Sequence, residues 1–347
     1  MTLVVNEAYD DTGHEDAGHP ERPERSTATR AGIEDLHLGS DLVSVVARRP
    51  SHAELTRVHA EEYVEHLAVF CYEGGGDLDP DTYATYDSWA IANQAAGAGL
   101  AVIEELQRRG DGVGFVVTRP PGHHAERGRA MGFCLFNNIA VAAGALRSQG
   151  ERVLIVDWDV HHGNGTQQIF WGDDRVLYVS THQSPLFPGG GRAVEVGGRG
   201  AIDRTVNLPL PPGATGDVLR RMFDDVALPV ITEFAPTWVL VSAGFDSHRD
   251  DPMANLLLTE GDFGALARTV ADIAPSPGRL AMFLEGGYNL SALRSSVRST
   301  LESVLGDGEK YHEVTHGETG ADLVAHTLRS RAQAIDALRA VDDKDEE

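Results

Sequence analysis

The chain has 347 residues, 41% of them hydrophobic, and a formal net charge of −24. That length suits one large α/β domain, and such acidity repels nucleic acid and anionic membrane surfaces, which excludes a direct phosphate-backbone partner. No apolar run approaches membrane-spanning length, and the first residues lack the basic flank and apolar stretch of a signal peptide. The 2 cysteines, Cys71 and Cys134, make no disulfide framework, so the expected location is a reducing cytoplasm. Of the 29 basic residues only Lys310 and Lys344 are lysine, which fits a high-salt cytoplasm and an arginine-favouring genome equally.

In chain order, eight short apolar runs read as strands. They are Leu3–Asn6, Leu42–Val46, Gly114–Thr118, Val153–Asp157, Val176–Ser180, Thr205–Leu208, Trp238–Ser242 and Leu280–Leu284. Helical spacing of apolar residues falls between many of them, at Trp89–Arg108, Asn138–Ser148 and Val218–Phe234. Strands alternating with helices predict an α/β fold with a mostly parallel eight-stranded sheet flanked by helices on both faces. No linker, repeat or low-complexity break divides the chain, so residues 1–347 are expected to form a single domain. Residues 318–347 read as a C-terminal helix with an acidic end, Asp342–Glu347, expected to fray.

The polar residues that carry chemistry sit just past the strands. Arg119-Pro120-Pro121-Gly122-His123-His124 follows the third run, and Asp157-Trp158-Asp159-Val160-His161-His162-Gly163-Asn164 follows the fourth. Ala243-Gly244-Phe245-Asp246 and Glu285-Gly286-Gly287-Tyr288-Asn289 follow the last two. Open α/β sheets place their sites at this carboxyl edge. Alternation along an extended chain lets Asp157, Asp159 and His161 point the same way. Asp159, His161 and Asp246 make a one-histidine, two-carboxylate donor set that leaves coordination positions open, as a hydrolytic zinc requires; iron(II), manganese and cobalt also suit it. Taken alone, Asp246 reads equally well as a helix cap.

Adjacent loop histidines are often inert, but Asp157 and Asn164 supply partners of the right kind for His123 and His124. A carboxylate on one ring and an amide on the other would set the two pKa values apart. Tyr288, on a glycine-flanked turn, could donate to an oxyanion. Phe133 and Phe187, on glycine-flanked loops, could wall a narrow slot for a thin aliphatic arm.

Together these segments resemble the histone deacetylase superfamily. The resemblance rests on HPERPER (19–25), RPPGHHA (119–125), MGFCLFNN (131–138), DWDVHHGNGTQ (157–167), AGFDSHRDDP (243–252) and EGGYN (285–289). It runs from about residue 10 to 305. Asn164 and the RPPGHH form are closer to the class II branch and its bacterial amidohydrolase relatives than to class I. The resemblance implies an arginase-like fold and zinc on Asp159, His161 and Asp246. It implies His123–Asp157 and His124–Asn164 pairs, with His124 the main general base and acid and His123 mainly electrostatic. Tyr288 would polarise the amide carbonyl. Phe133 and Phe187 would line an acyl-lysine tunnel with Gly132 at its floor, and Asp81 would match a rim residue that accepts from the substrate backbone. A K⁺ ion would sit near Asp157 and Ser180, with backbone carbonyls of Asp157, Asp159, His161 and Thr181.

The sequence therefore predicts a zinc- or iron-dependent amidohydrolase. Its expected substrate is an acetylated protein or peptide, with an acetylated polyamine as the second choice. A non-catalytic acyl-lysine module is disfavoured by the intact histidine pair and tyrosine. A two-metal ureohydrolase is disfavoured because its carboxylate motifs are missing. Homo-oligomer formation is left open, and His162 is expected to be structural.

Overall fold

The computed structural model describes residues 1–306, 314–317 and 320–345. Among the described residues ten strands are present: β1 (Leu3–Asn6), β2 (Leu42–Val45), β3 (Gly75–Asp79), β4 (Thr82–Thr85) and β5 (Val113–Val116), followed by β6 (Val153–Asp157), β7 (Val176–Gln183), β8 (Thr205–Leu210), β9 (Trp238–Ala243) and β10 (Leu280–Leu284). Eight form one sheet in the order β2-β1-β5-β10-β9-β6-β7-β8, and every pairing in it is parallel.

The inner predicted runs form this sheet because both faces are covered, while the edge strand β2 is only partly buried. Along β6, Val153 and Ile155 enter one hydrophobic cluster while Leu154 and Val156 enter the other. Trp238 and Leu240 against Val239 and Val241 divide in the same way on β9. A strand buried on both faces has no polar side, so it reads as a continuous apolar run rather than an alternating one.

Helices cover the two faces. Ser88–Arg109 runs past the predicted span by one residue at each end and stops at Gly110, which takes the left-handed conformation at φ +64. Asn138–Ser148 begins where Asn137 accepts a hydrogen bond from the Ala140 amide at 3.0 Å. The predicted Val218–Phe234 helix is one helical stretch from Gly216 to Phe234 with a wide turn at Phe223–Ala227, where the Leu228 amide reaches back to Phe223 O. Pro229 explains the widening, since it supplies no amide hydrogen and crowds the carbonyl one turn earlier. The C-terminal helix spans Ala321–Asp345; of the acidic end expected to fray, Glu346 and Glu347 lie outside the described residues. That helix is pinned to the sheet edge by buried Arg331, which donates to Thr205 O at 2.8 Å and to Asp203.

The sequence pattern did not announce the antiparallel hairpin β3–β4. Its first strand is glycine- and aspartate-rich and partly exposed, and its second, Thr82–Thr85, is buried but only four residues long and half threonine, so neither carries the apolar signature of the main sheet. Both cysteines are free and buried. Among the described residues, no helix is long and apolar enough to cross a membrane.

Candidate active site

The strands whose ends carry the polar motifs, β5, β10, β9 and β6, are four consecutive neighbours in the sheet. Their following loops therefore converge on one place at its carboxyl edge, as open parallel sheets dictate. Strand β6 stops at Asp157, so alternation alone does not carry Asp159 and His161 inward. The chain is instead turned by its own carboxylates. Asp157 Oδ1 accepts from the Asp159 amide at 3.1 Å, Asp159 Oδ1 from the His161 amide at 2.9 Å, and Asp246 Oδ1 from the Val160 amide at 2.9 Å.

Asp159, His161 and Asp246 are buried and offer ligand atoms that all lie within 4.8 Å of one another. His161 Nδ1 stands 3.1 Å from Asp159 Oδ1 and 3.2 Å from Asp246 Oδ2. These three residues fit a metal: two desolvated carboxylates and an imidazole share one centre, and a bound cation would offset the repulsion between the carboxylates. The strain of that arrangement shows in their protonation. Burial and the nearby Asp159 push Asp246 up to about 7. Burial opposes the Asp159 carboxylate too, but His123 and His161 outweigh it and hold Asp159 low. Glycine is required around the cluster, since a Cβ on Gly244 would lie 2.0 Å from Asp159 Oδ2 and one on Gly286 2.1 Å from Asp246 Oδ2.

The two adjacent histidines are separated by their partners. His123 Nδ1 donates to Asp157 Oδ2 at 3.0 Å, and the same oxygen accepts from the Tyr178 hydroxyl at 3.0 Å. His124 Nδ1 lies 2.8 Å from Asn164 Oδ1, while the Asn164 amide nitrogen donates to Glu126 Oε1 at 3.0 Å. The Asn164 oxygen is thus an acceptor, which places the His124 proton on Nδ1 and leaves Nε2 as a base. Burial disfavours the charged form of both rings. At His123 the carboxylates of Asp157, Asp159 and Glu285 overcome burial and raise the pKa to about 10. At His124 burial acts together with His123 and His161, and the pKa falls well below its ordinary value.

His123, His124 and His161 border a cavity of about 150 Å³, lined also by Phe133, Phe187, Tyr288, Gly132 and Asp81. Phe187 is 39% exposed and stands edge-on to the His124 ring at 5.2 Å. Phe133 adopts φ +69 after Gly132 at φ +57, and its amide is held by Thr82 Oγ1 at 3.1 Å. Asp81 sits at the turn of the β3–β4 hairpin, so that small sheet reaches the cavity. Burial raises the pKa of the Tyr288 phenol well above its ordinary value, which keeps it a hydrogen donor. The structure thus brings together every residue singled out from the sequence for the cavity.

Asp157 and Ser180 are register partners on β6 and β7, both fully buried. His182 donates through Nε2 to Gly191 O at 2.9 Å, so its Nδ1 accepts from Ser180 Oγ at 2.9 Å and the serine lone pairs stay available. Thr181 is buried beside them, and its hydroxyl has no protein partner. His162 lies apart from the cavity: it is buried, 3.0 Å from Gln167 Oε1 through Nε2, and packed on His182 at 4.8 Å. Burial lowers its pKa to about 4, consistent with a neutral structural ring.

Several contributors were not legible in advance. Pro121 and Met253 line the cavity, and Arg25, Glu285 and Asp251 hold its walls from behind. Arg25 and Asp251 lie within quoted motifs, HPERPER and AGFDSHRDDP, yet nothing in the sequence tells which turn each would grasp.

A parallel sheet with a buried carboxylate–imidazole cluster and a histidine pair at its carboxyl edge defines an α/β enzyme of the open-sheet kind. The profile of the histone deacetylase domain matches residues 19–304, and the chain belongs to the histone deacetylase family. It is similar to the histone deacetylase-like amidohydrolase of Pseudomonas aeruginosa, 36% identical over 83% of this chain and 81% of the relative. Histone deacetylase 10, chloroplastic, of Oryza sativa subsp. japonica is 38% identical over 85% of this chain and 71% of its own length. The crystal structure of the HDA15 HD domain superposes with a TM-score of 0.86 at 33% identity, covering 99% of this chain and 98% of that one. The chain is accordingly a hydrolase of the deacetylase type.

Proposed function

We propose that the chain is a metal-dependent amidohydrolase that removes the acetyl group from an acetyl-lysine side chain, releasing acetate and the free amine. The observation that carries this reading is the pairing of two adjacent buried histidines with different partners, His123 with the Asp157 carboxylate and His124 with the Asn164 amide oxygen, beside the Asp159–His161–Asp246 cluster at a cavity lined by Phe133 and Phe187. Asp159, His161 and Asp246 would hold the metal, zinc in the first instance and iron(II) as an alternative. When bound, such an ion supplies Lewis-acid polarisation of the amide carbonyl and a lowered pKa for water.

The chain's own groups do the rest. His124, neutral and oriented through Asn164, takes a proton from the attacking water on Nε2. It returns that proton to the departing amine nitrogen as the C–N bond breaks. His123, charged against Asp157, contributes a positive field at the reacting centre. The Tyr288 hydroxyl donates to the carbonyl oxygen as negative charge develops there. Phe133 and Phe187 hold the methylene arm with Gly132 beneath, and Asp81 accepts from the substrate backbone at the rim. Asp157, Ser180 and the carbonyls of Asp157, Asp159, His161 and Thr181 are proposed to hold K⁺ as a structural ion. The whole chain is read as one catalytic domain, and a cytoplasmic site of action fits its two buried free thiols.

The test is a panel of acetyl-lysine peptides, acetylputrescine and acetylspermidine offered to zinc- and iron-loaded protein. Peptides are expected to be cleaved fastest. Faster cleavage of the polyamines would reassign the substrate, and hydrolysis of neither would remove the enzymatic reading.

A further inference from the structure

The turn after β10 is gripped by opposite charges at the two ends of one peptide group. Arg25 is fully buried and donates through Nε to Gly287 O at 2.7 Å, and its second arm reaches Glu285 O. On the other side Asp251, 6% exposed, accepts through Oδ2 from the Tyr288 amide at 2.6 Å and the Asn289 amide at 3.0 Å. The Gly287 carbonyl and the Tyr288 amide belong to the same peptide plane. Its orientation fixes the φ of Tyr288, and hence the direction in which that side chain leaves the backbone. Two successive glycines, with Gly287 at φ +120, would otherwise let this plane rotate at little cost. The other Asp251 oxygen accepts from the Met253 amide at 3.1 Å, so one carboxylate ties two residues of the cavity wall together.

We infer that Asp251 is a positioning residue for the reaction, aiming the Tyr288 hydroxyl through the Gly287–Tyr288 peptide. The inference rests on the reading of Tyr288 as the donor to the carbonyl oxygen. Asp251 itself touches no reacting atom. Its two oxygens serve three backbone amides, an arrangement only an acceptor on both sides can satisfy.

The experiment is a double-mutant cycle of Asp251→Ala and Tyr288→Phe, with Asp251→Asn beside it. The substrate is a trifluoroacetyl-lysine peptide, whose electron-poor carbonyl keeps turnover measurable when the phenol is absent. Metal content, thermal midpoint, kcat and KM are read for each variant. D251A is expected to lower kcat roughly tenfold to a hundredfold with KM little changed, the scale of an ångström's misplacement. D251N is expected to lose less, because its oxygen can still serve Tyr288 and Asn289 while its amine opposes Met253. In the Y288F background D251A is expected to cost less than about twofold further. Equal losses in both backgrounds would show a generic structural role and overturn the inference, as would undiminished kcat in D251A. Should D251A not fold, D251N in the same two backgrounds decides between these outcomes. Full turnover by Y288F alone would instead defeat the reading of Tyr288 and the inference with it, a result visible before any Asp251 variant is assayed.

Discussion

A single methyl group at position 132 is expected to disable the site while leaving the fold intact. Gly132 has φ +57, and a Cβ built there would lie 2.4 Å from His124 Cδ2 and 2.7 Å from Cγ. Carbon atoms in ordinary contact sit about 3.5–4.0 Å apart, so in G132A the ring must retreat by about 1 Å. It cannot do so freely, because Nδ1 is held by Asn164 at 2.8 Å and the His123 ring lies 4.0 Å away. A displaced base of that size costs on the order of a hundredfold in kcat. The left-handed backbone adds about 1–2 kcal/mol of instability, which must be separated from the contact itself. Gly110 provides the control. Its φ is +64, but a Cβ there would meet nothing within 4 Å, so G110A carries the backbone strain alone. Steady-state turnover of an acetyl-lysine peptide and thermal midpoints would be measured for both variants. Similar losses of stability are expected, with kcat reduced only in G132A. Turnover of G132A within about threefold of G110A would refute the argument from the His124 contact.

The remaining expectations concern metal, acid and the sheet edge. D246N is expected to bring bound metal per chain close to zero by elemental analysis and to abolish any metal-dependent rise in thermal midpoint; retained metal would exclude Asp246 as a ligand. His59 is fully buried, donates to Glu126 O at 3.0 Å and accepts from the Asn137 amide at 3.0 Å, so it can only be neutral, and burial lowers its pKa from 6.5 to about 4. The unfolded chain takes up this proton first. Stability is therefore full above about pH 6.5 and falls by roughly 3 kcal/mol as pH drops towards 4. Urea midpoints of H59Q should change less over that window than those of the wild type, and an unchanged pH slope would contradict this account. R331A removes the partner of Thr205 O and Asp203, so a loss of about 2 kcal/mol in urea unfolding is expected with kcat unaltered. Wild-type stability would mean that this anchor is idle.

Where the sequence succeeded and failed follows from what each residue contacts. The inner strands of the main sheet could be read because a doubly covered strand must be apolar throughout, as Val153–Val156 is, and the half-buried edge strand Leu42–Val45 because only Ser44 interrupts its apolar run. The clustering of Asp159, His161 and Asp246 and the partners of the histidine pair could be anticipated because polar residues of those types stand just past strand ends that converge at one edge of the sheet. The hairpin carrying Asp81 escaped because Gly75–Asp79 bears no strand-like apolar pattern. Arg25 and Asp251 escaped for a different reason. Each acts on backbone carbonyls or amides of a distant turn, and backbone groups leave no mark in the sequence of the turn they belong to. The expectation that alternation would aim Asp159 and His161 named the right residues for an incomplete reason, since carboxylate-to-amide bonds beyond the end of β6 do the turning.

The grip of Arg25 on the Tyr288 turn spans 262 positions of chain. The proposed metal cluster closes over a much shorter interval, 86 positions between Val160 and Asp246. Contacts between remote parts of a chain carry the larger closure entropy and tend to form late in folding. On the proposed function, closure of the metal cluster and alignment of Tyr288 are therefore expected to be separable steps in a newly made chain. On that reading, a molecule with the Asp159–His161–Asp246 cluster closed but the segment around Arg25 undocked would hold the ion without an aligned phenol. Metal content alone would then overstate how much of a preparation is active, and the gap between bound metal and titrated active sites would measure incomplete docking of the N-terminal segment.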